Sequence, residues 1–141
     1  MLTVVGDTIL PATPESPGAG AVQVGRFITM MLAECHPPVV TGQVKAFLKE
    51  LALQAGPSVS GRFDRLDAAQ REALLRTLEQ RAISLSPEEP WAHGFKWAKN
   101  LALLGYFTSE PGATQALRYD PVPGAYRGKA PIDAITRAWA T

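Results

Sequence analysis

The placement of the prolines constrains this chain more than any other feature. Proline locks its own φ and lacks an amide donor, so it starts or stops a helix and is excluded from its interior. The apolar-periodic segments of the chain run between them. Residues 2–10 place Leu2, Val5 and Ile9 on one side of a short helix that Pro11 ends. Residues 11–20, PATPESPGAG, carry three prolines and two glycines and read as a loop. A second helix spans Val22 to Cys35, with Val24, Ile28, Met31, Leu32 and Cys35 on one stripe, and Pro37 and Pro38 stop it. A third runs from Gln43 to about Ala55, turning Val44, Phe47, Leu48, Leu51 and Ala55 inward, and Gly56 and Pro57 close it. Ser58 to Gly61 is expected to be a turn, with Phe63 and Leu66 anchoring the link that follows.

Asp67 starts the clearest helix. Its carboxylate can accept from the free amides of the first turn, and Gln70 stands where a capping box requires it. Leu74, Leu75, Leu78, Ala82 and Leu85 form its inner face, and Arg71, Glu72, Arg76, Glu79, Gln80 and Arg81 its wet side. Ser86-Pro87-Glu88-Glu89 reads as another start, with Ser as cap, Pro at the first helical position and Glu89 closing the box. The wide stripe of Trp91, Phe95, Trp97, Ala98, Leu101, Ala102 and Leu104 then belongs at the centre of a bundle. Gly105 is expected to end this helix in a left-handed conformation, with Tyr106 packing back on Leu101. A short helix over Ala113–Leu117, an irregular stretch from Tyr119 to Gly128 and a last helical turn or two over Pro131–Trp139 complete the expectation. No segment shows the alternation of a strand. The fold class is all-α: a single domain over 1–141, about five helices, and an irregular Pro/Gly/aromatic tail from about residue 105.

Composition bounds the function. Charged residues are 19% of the chain, against about 25% in an average soluble protein, which leaves apolar surface for an interface. A net charge of +1 without a basic stripe excludes ordinary nucleic-acid binding. The single cysteine, Cys35, excludes an internal disulfide, and no apolar run approaches the ~18–20 residues of a membrane span. Met1 leads directly into structured-looking sequence with no visible signal peptide, so the chain is expected to stay inside the cell or to lack an upstream segment.

No catalytic, cofactor or metal set is expected. His36 and His93 are the only histidines, and Glu89 with His93, four apart, supplies too few ligands for zinc. Cys35 on a buried stripe would behave as a small hydrophobe. Ser109 lies in a turn without the strand and glycines of a nucleophile elbow. Gly18 and Gly20 lack the preceding strand and following Lys of a phosphate loop. Glu88 and Glu89 are accounted for by the helix start. Trp91, Phe95 and Trp97 have core spacing. Tyr106, Phe107, Tyr119 and Tyr126 lie in or beside turns, where they either close over the bundle or meet a partner.

Several short motifs then stand in a specific order: Asp7-Thr8-Ile9-Leu10-Pro11, Ser16-Pro17-Gly18-Ala19, Leu104-Gly105-Tyr106-Phe107-Thr108-Ser109-Glu110, and Tyr119-Asp120-Pro121-Val122-Pro123-Gly124-Ala125-Tyr126. Together they resemble the gluconate 2-dehydrogenase subunit 3 family, and Arg137-Ala138-Trp139 resembles its closing segment. The resemblance implies a non-catalytic small subunit that binds and stabilises a large FAD-dependent dehydrogenase of the glucose-methanol-choline class, acting on a sugar, sugar acid or glycoside. FAD would belong to that partner, and a multihaem cytochrome c often receives the electrons. It implies a periplasmic location, with help in export commonly given through a twin-arginine signal; no such signal is visible here, and cytoplasmic is the alternative. Lys129 follows Gly128 where relatives tend to have Cys. The alternatives are a transient folding or export chaperone for the large subunit, or an independent small helical ligand-binding domain or enzyme.

The expected partner contact is the tail, with Tyr106, Phe107, Ser109, Tyr119, Pro123, Gly124 and Tyr126. Pro121 and Pro123 lack amide donors, so this stretch cannot satisfy itself as helix and must lie on a surface. Its rings offer large apolar area with hydroxyls on two of Phe107, Tyr119 and Tyr126.

Overall fold

A computed structural model describes residues 1–56, 62–84, 89–120, 122, 124 and 137–140. The architecture is a small all-α bundle: α1 (Leu2–Ile9), α2 (Val24–Glu34), α3 (Pro38–Gln54), α4 (Ala68–Ser84) and α5 (Pro90–Phe107). A 3₁₀ turn at Phe63–Arg65 precedes α4, and a π-type turn at Gly112–Ala116 follows α5. No strand is present among the described residues.

The core has two halves that meet on α5. In one, Val5, Phe47, Leu51, Phe63, Leu75, Leu78, Trp91 and Phe95 join α1, α3 and α4 to α5. In the other, Val24, Ile28, Leu32, Val40, Val44, Leu101, Ala102 and Tyr106 join α2 and α3 to it. The most extensive pairing is α3 with α5. It is close because Gly94 has no side chain: a Cβ there would lie 2.5 Å from the Gln43 carbonyl carbon and 2.9 Å from the Val44 nitrogen. Phe47 and Phe95 meet edge to face across this crossing, at 5.4 Å between centroids. Of the stripe expected at the centre of the bundle, Trp91, Phe95, Ala98, Leu101 and Ala102 are buried, Trp97 is half-buried and Leu104 is exposed.

The Asp67 cap forms in full. The Gln70 amide donates to Asp67 Oδ1 at 2.8 Å, and the Asp67 amide donates to Gln70 Oε1 at 3.1 Å. Phe63 is fully buried and Leu66 packs against the core beside it. Gly56, at φ 86°, takes the left-handed conformation that follows α3. Ser58 to Gly61, Leu85, Ser86 and Pro87 lie outside the described residues.

Several expectations are corrected. Helix α3 starts at Pro38, five residues before Gln43, with Pro38 at its first position and Pro37 extended before it at ψ 150°. The Thr41 hydroxyl donates to the Leu32 carbonyl at 3.0 Å, so the start of α3 satisfies the end of α2. Helix α2 ends at Glu34, and Cys35, one residue beyond, is exposed rather than on the buried stripe. Helix α5 starts at Pro90, not Pro87. Glu89 is its extended cap residue (ψ 110°), held out of helical geometry by the proline after it, so it closes no box. Gly105 does not end α5: it is helical and buried, and its bare Cα receives the ring of Phe27. Leu104 is 46% exposed, because the helix turns Leu101, Ala102, Gly105 and Tyr106 inward and so puts Leu104 outside. Trp139 is not helical; it pairs in extended conformation with Arg118, and 131–136 lie outside the described residues. The short helix expected over Ala113–Leu117 is the π-type turn, shifted one residue earlier.

Candidate partner-docking site

The motifs that are far apart in sequence converge at the C-terminal end of α5. The loop 11–20 between α1 and α2 is tied down from three directions. The Gly20 amide donates to Asp7 Oδ1 at 2.9 Å, and the Ala19 amide donates to the Leu10 carbonyl at 2.9 Å. Within the loop, the Glu15 and Ser16 amides donate to the Thr13 hydroxyl at 3.3 and 3.2 Å. From α5, the Tyr106 hydroxyl donates to the Pro17 carbonyl at 2.6 Å, with the Ser16 hydroxyl 3.2 Å away. Tyr106 itself is 3% exposed, so its ring is core and its hydroxyl is a strut to the loop.

Ser109 extends the same bracing forward. Its hydroxyl donates to the Tyr106 carbonyl at 2.6 Å and accepts the Gly112 amide at 3.2 Å. Gly112 is buried because the turn lays its Cα on the Tyr106 carbonyl, where a Cβ would not fit. The turn leads into Leu117 and Arg118, and the returning chain joins them: the Arg118 amide donates to the Ala138 carbonyl at 2.8 Å.

These pieces enclose a shallow groove of about 400 Å³. Ile9, Leu10 and Pro11 form one wall, Tyr106 and Phe107 the floor, and Ala116 and Arg137 the far side. Ile9, Leu10 and Pro11 also line a second groove of about 440 Å³, which runs between Leu75, Phe95 and Leu103. Its charges are internally matched, with Lys99 paired to Glu79 and Arg76 to Glu72 at 2.8 Å. Tyr119 (58%) and Trp139 (47%) stand exposed beyond the first groove, as does Val122. Of the residues expected to meet a partner, Phe107 is half-buried in the groove, Ser109 is a brace, Tyr119 and Gly124 are exposed, and Pro123 and Tyr126 lie outside the described residues. Sequence reading missed the Asp7–Gly20 and Tyr106–Pro17 bonds and the Arg118–Trp139 pairing. Hydrogen bonds across this much sequence have no periodic signal.

Outside the grooves several side chains pair with one another. The His36 ring packs tilted against Trp97 with centroids 4.9 Å apart, and Arg81 lies over Trp91 at 5.1 Å while pairing with Glu50 at 3.0 Å. Asp64 is held below the ordinary carboxylate range by the hydrogen bond from Arg62, a solvent-exposed pair remote from both grooves. Among the described residues no three His, Cys, Asp or Glu side chains are grouped to hold a metal ion, and no helix is long and apolar enough to cross a membrane.

What the geometry defines is a helical domain with a braced, largely apolar groove where its central helix ends. The chain belongs to the gluconate 2-dehydrogenase subunit 3 family: residues 1–124 match that family. The match includes every motif that lines the groove from α1, the loop and α5, and it stops before Arg137-Ala138-Trp139. Comparison with curated proteins gave no significant match, and neither did comparison with solved structures.

Proposed function

We propose that this chain is a non-catalytic small subunit that binds and stabilises a large FAD-dependent dehydrogenase of the glucose-methanol-choline class. The observation that carries the reading is the family membership over residues 1–124. The geometry is consistent with it: the groove, Tyr119 and Trp139 gather apolar and aromatic area at one end of the bundle, the kind of surface that suits a lasting protein contact. FAD and the chemistry of sugar, sugar-acid or glycoside oxidation belong to the large subunit in this reading. The complex works in the periplasm and passes electrons to a multihaem cytochrome c.

The contact lies on the exposed part of the tail and on Phe107. Tyr106 and Ser109 hold that surface in shape. A tagged chain expressed with its neighbouring reading frames should retain a large flavoprotein at fixed stoichiometry through salt washing, and only the complex should show dye-linked sugar oxidation. Tyr119→Ala should weaken association by about thirtyfold if this ring is a central contact, with the melting temperature of the lone subunit unchanged. Turnover by the isolated chain, or a chain that retains no flavoprotein, would overturn the reading.

A further inference from the structure

We propose that Gln23 is the hinge of a two-state strap: residues 18–22 fold back on α1, and on release they join α2 as its first turns. Among the described residues, Gln23 is the one residue with a side chain that takes a positive φ (φ 53°, ψ 40°). The left-handed region disfavours such a residue by about tenfold. Its side chain is exposed, so burial of that side chain does not offset the strain. The bonds around it are those of a helix end. The Gln23 amide donates to the Gly20 carbonyl at 3.1 Å and the Val24 amide to the Ala19 carbonyl at 3.2 Å, the pair that closes a helix on a left-handed residue. Ala19 and Val24 are fully buried, and both face the bare Cα of Gly6. A single turn therefore ends at Gln23, and α2 begins on the next residue. Rotation of Gln23 to the right-handed region would align the two, and amides 22–26 would exchange their present bonds for those of a continuous helix.

Three ties hold the folded-back state, and each grips the strap on the N-terminal side of the hinge. The Gly20 amide donates to Asp7 Oδ1 and the Ala19 amide to the Leu10 carbonyl, both at 2.9 Å; the Tyr106 hydroxyl donates to the Pro17 carbonyl at 2.6 Å. The seat is tight as well. A Cβ at Gly18 would lie 2.5 Å from Asp7 Oδ1 and 2.8 Å from the Ala12 nitrogen, and one at Gly20 would lie 2.9 Å from Asp7 Oδ1. The folded-back state thus requires both glycines, and both are unfavourable in the helix that would replace it. Strain at Gln23 pulls one way; the ties, the glycines and the burial of Ala19 pull the other. The released form is then a minor one, in the range of about 0.1–10% where such states are populated. Release has a local consequence. Thr13, Glu15 and Ser16 line the groove of about 400 Å³, so the strap sets how wide that groove stands.

Amide exchange and NMR of the full chain test the hinge. The Ala19 and Gly20 amides should exchange at least about tenfold faster than the Ile28 and Leu101 amides, through opening of the strap without global unfolding. Gln23→Gly removes the strain from the folded-back state and weakens the continuous helix. Exchange at Ala19 and Gly20 should then slow by about tenfold, and at Ile28 and Leu101 by less. Asp7→Ala with Tyr106→Phe removes two of the ties, and the released form should become the major one. Its signature is an NOE from the Val22 Hα to the Gly25 amide, three residues on, across the hinge. Adding Gln23→Gly to that pair should restore the folded-back form and remove the NOE. Ala19 and Gly20 amides protected as strongly as the core, a Gln23→Gly variant in which neither slows, or a released segment that is coil rather than helix would each overturn the proposal. Gln23→Gly relieves strain and breaks no contact, so it reads the hinge even where the double variant does not fold.

Discussion

The crossing of α3 and α5 makes a quantitative prediction about one atom. Replacing Gly94 with alanine adds a Cβ that would lie 2.5 Å from the Gln43 carbonyl carbon, where ordinary contact requires about 3.5 Å. The obstacle is backbone, and the Gln43 carbonyl oxygen lies nearer still, so no side chain can swing aside and the helices must part by more than about 1 Å. Parting them loosens the Phe47–Phe95 pair and the packing of Val44. Overpacking of this kind costs up to about 3 kcal/mol, and the better helix propensity of alanine returns about 1, leaving a net loss of about 2 kcal/mol. At about 4 °C per kcal/mol for a chain of this size, the melting temperature should fall by about 8 °C. Gly42, exposed on α3 with nothing near its Cα, is the control. The same substitution there meets no atom and should stabilise by about 0.5–1 kcal/mol. Thermal melts of the two variants followed at 222 nm should therefore move in opposite directions. If Gly94→Ala melts at or above wild type, the close approach and the central role assigned to α5 are wrong.

Substitutions at two further positions probe a strut and a helix cap. Tyr106→Phe keeps the core ring but removes the donor to the Pro17 carbonyl, and should cost about 1 kcal/mol in urea denaturation. Asp67→Ala should cost about 1 kcal/mol through loss of the α4 cap, while Asp67→Asn, which retains the acceptor, should lose only a fraction of that.

The bundle was legible in the sequence wherever a local signal had one meaning. The Asp67–Gln70 box and the inward faces of α3 and α4 are of this kind, since capping and periodicity act within a few residues. Prolines were harder, because a proline marks both an end and a beginning. Pro37-Pro38 looked like a stop for α2, yet Pro38 opens α3. At the start of α5, Pro87 reads as the first helical position, yet Pro90 takes it and forces Glu89 out of helical geometry. Gly105 shows the limit of local reasoning. A glycine near a helix end reads as a terminator, but here the missing side chain makes room for Phe27 on another helix, a contact no sequence window contains. Cys35 was assigned inward by continuing the α2 stripe past the point where the helix stops. At the docking site the participating motifs were visible, but their roles were not. The place of Tyr106 beside a turn suits both closure over the bundle and a partner contact, and the fold decides between them: its ring is buried and its hydroxyl braces a loop.

The end of α2 also has a practical consequence. Cys35 is the chain's single thiol, and it is exposed. Helix α2 has 11 residues, which at 1.5 Å per residue sets this sulfur about 16 Å along the axis from Val24, where α2 leaves the braced loop. A maleimide dye attached there would label the native chain at one defined point, one helix length from the start of α2. In the proposed complex, energy transfer between that dye and the partner's flavin would turn the placement of the small subunit into a measurable distance.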